Sequence, residues 1–357
     1  MRSKMICAVL AAMGLTLFAA GLASATSVFN RPGNILISDQ FNNRVIEVDP
    51  VTKNIVWQFG NGSSVAGPYS VVAPNDAQRV GDLTLISGTG APQGTEPSCM
   101  NAPCLDNRVF VVNEAGQIVW QYGKAGVSGS GFNELNTPVQ ATFLPSKHIL
   151  ITDQANERVI EVNEFRIIVW QYGTTGVTGT GYNELNNPNS AELLENGDIL
   201  IADENNNRVI EVNRQKQVVW SYNNPDTGLL SGAAFASRLC NGDTLITDSN
   251  NNRVIEVDPS GNIVFSYSTG SNTFPTRAIR LCNGNTLIST QFGGQVLEVN
   301  SEGTSVLSIG KAGVNDNAPG DLNAPYDAKE IGDYVGITPP FGNFFPIDVT
   351  LFNPSGF

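Results

Sequence analysis

Short apolar runs rich in Val and Ile, separated by short polar breaks, recur along this chain in a fixed order. The clearest run sits in the phrase L-I-x-D-x-x-N-x-R-V-I-E-V. It reads LISDQFNNRVIEV at 36–48, LITDQANERVIEV at 150–162, LIADENNNRVIEV at 200–212 and LITDSNNNRVIEV at 245–257. Two weakened copies are LIS at 85–87 with NRVFVV at 107–112, and LISTQFGGQVLEV at 287–299. A second run follows each copy: IVWQFG, IVWQYG, IVWQYG, VVWSYN, IVFSYS and SVLSIG. A third precedes it, opened by P-x-x-A at 74–77, 138–141, 188–191, 275–278 and 325–328, with AAFA at 233–236 in the same place. Turns such as ENGD, CNGD and CNGN join the third run to the L-I-x-D run, and Asn-Gly between apolar runs is a hairpin signal. Beyond the N-terminus, helical periodicity never persists past a few residues. The pattern predicts units of four short β-strands.

The period chooses the architecture. Trp57, Trp120, Trp170, Trp220, Phe265 and Leu307 occupy one register, at steps of 63, 50, 50, 45 and 42 residues. Four strands per unit of about 40–50 residues is the period of a β-propeller, whereas solenoid repeats are shorter. The long first step contains an insertion, SCMNAPCLD. The first copy has no P-x-x-A strand before it, and PYDAKEI at 325–331 has no unit after it. Joining them predicts an all-β, six-bladed propeller closed by one C-terminal and three N-terminal strands. One aromatic per blade reads as packing between blades, since Phe265 and Leu307 substitute in the column.

The ends differ from the repeats. Arg2 and Lys4, an apolar run and Ala23-Ser24-Ala25 describe a cleavable export signal over 1–25. The propeller then spans 26–335, and a tail with five Phe spans 336–357. That tail either packs on the ring or docks a partner, for instance by strand addition. No later stretch is apolar enough to span a bilayer, so the mature chain is expected to be secreted or periplasmic. Losing Arg2 and Lys4 leaves 18 basic against 33 acidic residues, a net of −15. Such a surface repels nucleic acid, whose binding rests on Lys and Arg neutralising phosphates. Four Cys remain in an oxidising compartment. Cys99 and Cys104 share one loop and are expected to pair; Cys240 and Cys282 recur in L-C-N-G turns and are left open between a bridge across adjacent units and two buried thiols.

The linkers GKAGVSGSGFNELNTP (123–138) and GTTGVTGTGYNELNNP (173–188), with the following D-x-x-N-x-R-V, resemble the NHL repeat over residues 30–335. The blade phrase also looks like bacterial arylsulfotransferase-type propellers. The NHL resemblance implies a six-bladed propeller, in a family that includes protein-binding platforms, RNA binders, receptor sensor domains and a metal-dependent lyase. Lyase and sulfotransferase chemistry of these families needs several His. This chain has one, His148, at a turn position held by Asp198, Asp243 and Asn285 elsewhere, so it is a weak catalytic candidate.

TDSNNNRVIEVD at 247–258 looks like a site until its copies are aligned. Asp39/Arg44, Asp153/Arg158, Asp203/Arg208 and Asp248/Arg253 are always five apart, and in blade six both members change together, to Thr290 and Gln295. They read as turn clamps. Function is sought where blades disagree. The position before the P-x-x-A alanine gives Asp327, Asp76, Gln140, Ser190, Phe235 and Arg277; three further on come Glu330, Arg79, Phe143, Leu193, Arg238 and Arg280. Asp76, Arg79, Arg238, Arg277, Arg280, Asp327 and Glu330 are therefore the candidate channel residues, either a ligand site or a salt-bridged plug. The expected function is an exported binding or scaffold propeller for a protein, peptide or small polar ligand, with no cofactor or metal. The competing readings are an extracytoplasmic arylsulfotransferase-type or lyase-type enzyme and a surface subunit docking through its tail.

Overall fold

The computed structural model describes residues 29–223, 229–333 and 337–338. The leader 1–25 and tail residues 339–357 lie outside the described residues. Six blades form the ring, each of four antiparallel strands that are consecutive in sequence in blades 2 to 6. Blade 1 is built from Pro325–Glu330 paired to Ile35–Asp39, then Arg44–Val48 and Ile55–Phe59, so the ring closes with one C-terminal and three N-terminal strands. The inner strands of blades 2 to 6 are Pro74–Val80, Pro138–Phe143, Pro188–Leu194, Ala233–Arg238 and Pro275–Arg280. Proline tolerates these places because the inner edge faces the channel and needs no ladder partner there.

Apolar packing is spread over the contacts between blades. Leu150, Val159 and Tyr172 of blade 3, for example, bury against Ile199, Ile201 and Ile210 of blade 4. The indole N–H of Trp57, Trp120 and Trp170 donates to the backbone carbonyl of Glu114, Glu164 and Arg214 in the next blade, at 3.0, 3.1 and 3.2 Å. The Trp column thus staples neighbouring blades. In blade 2 the insertion lengthens two strands, Leu83–Ala91 and Cys104–Val112, and carries the Cys99–Cys104 disulfide. Cys240 and Cys282 are two exposed thiols not bridged to each other.

The ring has two distinct faces. The linkers between blades and the D-x-x-N-x-R turns share one, here called upper; the Asn-Gly hairpin turns lie on the lower. The second residue of every inner strand is bulged out of register: Tyr326, Asn75, Val139, Asn189, Ala234 and Thr276. A bulge re-aims a side chain, here at the upper end of the channel.

The chain leaves blade 1 at its lower end and by Ile337–Thr338 lies parallel to Leu193–Leu194, the lower end of the inner strand of blade 4. After a turn at 331–333, its next described stretch is therefore an added strand on the opposite blade.

Candidate functional site

The recurring Asp–Arg pairs bond within their own turns. Arg44, Arg158, Arg208 and Arg253 donate through Nε to Asp39, Asp153, Asp203 and Asp248 at 2.7, 2.8, 2.7 and 2.6 Å. The same carboxylates accept from Asn42, Asn156, Asn206 and Asn251, each at 2.8 Å. Their other oxygens take a backbone N–H of the incoming linker, from Asn323, Asn136, Asn186 and Ser231. Burial pushes Asp39, Asp153 and Asp203 up, and these partners pull back. In blade 2, Asp106 substitutes, held by Arg108 and by the N–H of Val72. With both carboxylate oxygens of each clamp Asp engaged, these groups hold turns and linkers.

Midway down the channel the structure brings Arg277, Asp76 and Asp327 together. Arg277 lies 3.2 Å from each carboxylate and 3.4 Å from Glu192. Lys329 reaches Asp76 and Asp327 at 2.5 and 2.6 Å. Blades 1 to 4 each also cap the next: Asp327, Asp76, Gln140 and Ser190 accept from the backbone N–H of Ala77, Ala141, Ala191 and Ala236. Burial raises the Asp327 carboxyl, opposed by Lys329 and Arg277. These side chains are buried, and the arrangement is a cross-braced plug whose charges are spent on one another.

Arg79, Arg238 and Arg280 are not in that plug. They bridge blades lower down, to Glu47, Glu211 and Glu256 of the preceding blade, at 3.1, 2.7 and 2.7 Å. Desolvation lowers Arg79 to about 10, against the pull of Glu47. The exceptions to the pattern are informative. Where the Glu is replaced by Val111, the Arg is replaced by Phe143, and both are 0% exposed in one apolar cluster. Where Leu193 replaces the Arg, Glu161 is served instead by His148 and Arg214, each at 2.5 Å. His148 therefore fills a vacancy in a charge pattern. At the last seam Glu330 faces Glu298 and Asp333, and burial with these like charges lifts its carboxyl to about 7.

The upper mouth is built differently. Its wall is the residue after the L-I-x-D position: Gln40, Thr89, Gln154, Glu204, Ser249 and Gln291. Its floor is the bulged layer. Gln291 donates to Gln40 and Gln40 to Asn75, both at 2.8 Å. Tyr326 crosses the channel from blade 1 to meet Asn189 of blade 4 at 2.9 Å. Glu204 is the single carboxylate in the wall. Burial lifts it to about 7, with only Asn187 pulling the other way. Proximity to Glu204 adds to the burial that raises Tyr326. Both residues are crowded by protein yet keep partial solvent exposure, the signature of a recess. On the same face, the linkers raise Tyr69, Phe132 and Tyr182 to 67%, 70% and 75% exposure. A separate cleft of about 240 Å³ opens at the rim beside Phe41, Asn61 and Asn317; its one charged group, Arg44, is committed to Asp39.

Sequence reasoning missed Lys329, Glu192, Glu204 and Tyr326. A strand turns residues i and i+2 to one face, whereas i and i+3 oppose. Stepping two places from Asp76 reaches the column Gln78, Thr142, Glu192, Ser237, Ile279 and Lys329, which supplies the rest of the plug; stepping three reached the interblade arginines.

No family model and no curated protein matches the chain. Among solved structures, it is similar to a protein of unknown function from Bacteroides caccae, at 17% identity, covering 84% of this chain and 98% of that one, with a TM-score of 0.58. A virginiamycin B lyase from Staphylococcus aureus matches at 14% identity over 65% and 68% of the two chains, with a TM-score of 0.45. The dihydro-heme d1 dehydrogenase NirN matches at 8% identity over 84% and 75%, with a TM-score of 0.49. Likeness at these identities shows the propeller fold alone.

Proposed function

We propose that this chain is an exported NHL-type propeller that binds a protein, peptide or polar ligand on its upper face and performs no chemistry of its own. The observation that carries the reading is the rim of Tyr69, Phe132 and Tyr182. Large side chains held this far into solvent do nothing for the packing of the ring, and aromatic groups on a fixed scaffold are efficient contact surfaces. The disulfide fits an oxidising compartment. Among the described residues no helix is long and apolar enough to cross a membrane, and no group of three or more His, Cys, Asp and Glu is placed to hold a metal. The charges of the mid-channel plug bind each other, which leaves the upper mouth as the polar recess beside the rim.

The test is capture from the producing culture with wild type and with a Tyr69→Ala/Phe132→Ala/Tyr182→Ala variant. The expected result is a saturable partner that wild type retains and the variant, at unchanged Tm, does not. Equal capture by both proteins refutes the reading.

A further inference from the structure

We propose that Glu204 anchors a binding site for an alkylammonium or alkylguanidinium group that enters the upper mouth of the channel. The proposal rests on the binding reading above and names the chemistry of the ligand.

The first argument is asymmetry. The wall position is neutral in five blades and acidic in one. The neutral residues are used within the wall: Gln40 links Gln291 to Asn75, and Thr89 donates to the carbonyl of Pro138 at 2.7 Å. A carboxylate is not required for the ring.

The second argument is what Glu204 lacks. Its two hydrogen bonds both end on Oε2, from Gln154 at 3.3 Å and Asn187 at 3.4 Å. Amide contacts of that length are at or beyond the upper end of good geometry, so they replace little of the hydration the carboxylate loses. Oε1 accepts nothing among the described residues, and it is not among the oxygens sealed from solvent without a partner. None of the ion pairs of the described residues involves Glu204: Arg158 and Arg208 are committed to Asp153 and Asp203. Every other carboxylate that the wall, plug or clamps draw into the protein has a cation or short donors. Among the wall, plug and clamp carboxylates, Glu204 alone is left with an open acceptor oxygen, at the solvent side of the upper mouth.

The third argument is the match to a ligand. One carboxylate oxygen among amides and the Tyr326 hydroxyl suits a group that carries one positive charge and several N–H donors, since a charge-assisted hydrogen bond is the strong kind. A divalent ion needs more oxygen charge than one carboxylate. The excess of 33 acidic over 20 basic residues draws cations toward the molecule. The cation comes either as a free amine or as a Lys or Arg side chain of a basic partner laid across the aromatic rim.

The experiment uses the mature protein at about pH 8, where Glu204 is ionised. Isothermal titration is run with n-butylammonium, with a five-residue Ala peptide carrying one central Lys, and with the same peptide carrying norleucine. The expected result is that wild type binds the Lys peptide or the free amine at least ~10-fold more tightly than the norleucine peptide, and that Glu204→Gln abolishes that preference while keeping its Tm. Stronger binding of the Lys peptide than of butylammonium assigns the source to a protein partner; the reverse order assigns it to a free amine. Equal affinity of wild type and Glu204→Gln for both cations, or no binding by wild type up to about 10 mM, overturns the proposal. Failure here with partner capture still lost in the triple aromatic variant removes the cation site and leaves the binding function standing.

Discussion

The seam that closes the ring breaks the charge rule of its neighbours, and repairing it is a quantitative test of how the blades are held. Three seams pair a Glu with an Arg of the next inner strand: Glu47–Arg79, Glu211–Arg238 and Glu256–Arg280. At the seam between blades 6 and 1 the same positions hold Glu298 and Glu330. Burial, then Asp333 and Glu298, lift the Glu330 carboxyl from 4.5 to about 7. A raised folded-state value means the folded ring holds this proton more tightly than the unfolded chain. Its stabilising contribution is complete below pH 4.5 and is lost as pH rises through about 7. Each pH unit between the two values is worth about 1.36 kcal/mol, which sets a ceiling of roughly 3 kcal/mol at pH 8. Glu330 is only half-buried, and solvent screening brings this to about 1–2 kcal/mol. Glu330→Arg removes the repulsion and adds a bridge worth about 0.2–1 kcal/mol, but its guanidinium takes on the burial that is the larger part of the Glu330 shift, so the net gain at pH 8 is about 1–2 kcal/mol. For a domain of this size each kcal/mol moves Tm by about 2 °C. The expected gain is therefore about 2–4 °C at pH 8, shrinking to about 1 °C or less at pH 5. Differential scanning calorimetry at both pH values checks it. A gain that is equal at the two pH values, or a lower Tm at pH 8, refutes the reasoning.

Removing one member of the mid-channel plug strands its partners: Lys329→Met is expected to cost about 3–5 kcal/mol in urea unfolding, because Asp76 and Asp327 stay buried. Phe143→Arg places a charge in an apolar seam and is expected to destabilise by at least about 3 kcal/mol, with part of the loss recovered on adding Val111→Glu; a strictly additive double mutant would contradict the pairing. His148→Ala leaves Arg214 on Glu161 and is expected to cost about 1 kcal/mol without altering partner capture. A turnover lost with His148 would instead reinstate the enzymatic reading.

Much of the fold was legible because the propeller is written locally and repeatedly. Strand identity follows from alternation and Val/Ile content. Blade number follows from the period, and ring closure from the unpaired run at each end. The Asp–Arg clamps were legible for the same reason: a bond between residues five apart in a turn depends on nearby chain, and four copies average away accident. Channel chemistry was legible only in part. Alignment of the repeats put Arg277, Asp76 and Asp327 side by side, but the two faces of a strand alternate, so Lys329 and Glu192 join them while Arg79, Arg238 and Arg280 turn away to other blades.

What only the tertiary structure decided are the contacts made across the ring. Tyr326 meets Asn189 through a six-fold layer of bulges, and a bulge is a backbone irregularity that a hydropathy pattern does not record. Glu204 is one acid among many in the sequence; it becomes singular because folding sets it in a recess with two long amide contacts and an open oxygen. The strand Ile337–Thr338 lies on blade 4, although its sequence neighbour is blade 1. By itself, then, the sequence determined the repeating frame, whose bonds are short in sequence and repeated around the ring. The tertiary structure decided where the frame is plugged and where it is open, because those properties belong to side chains far apart in sequence that meet only when the ring is closed.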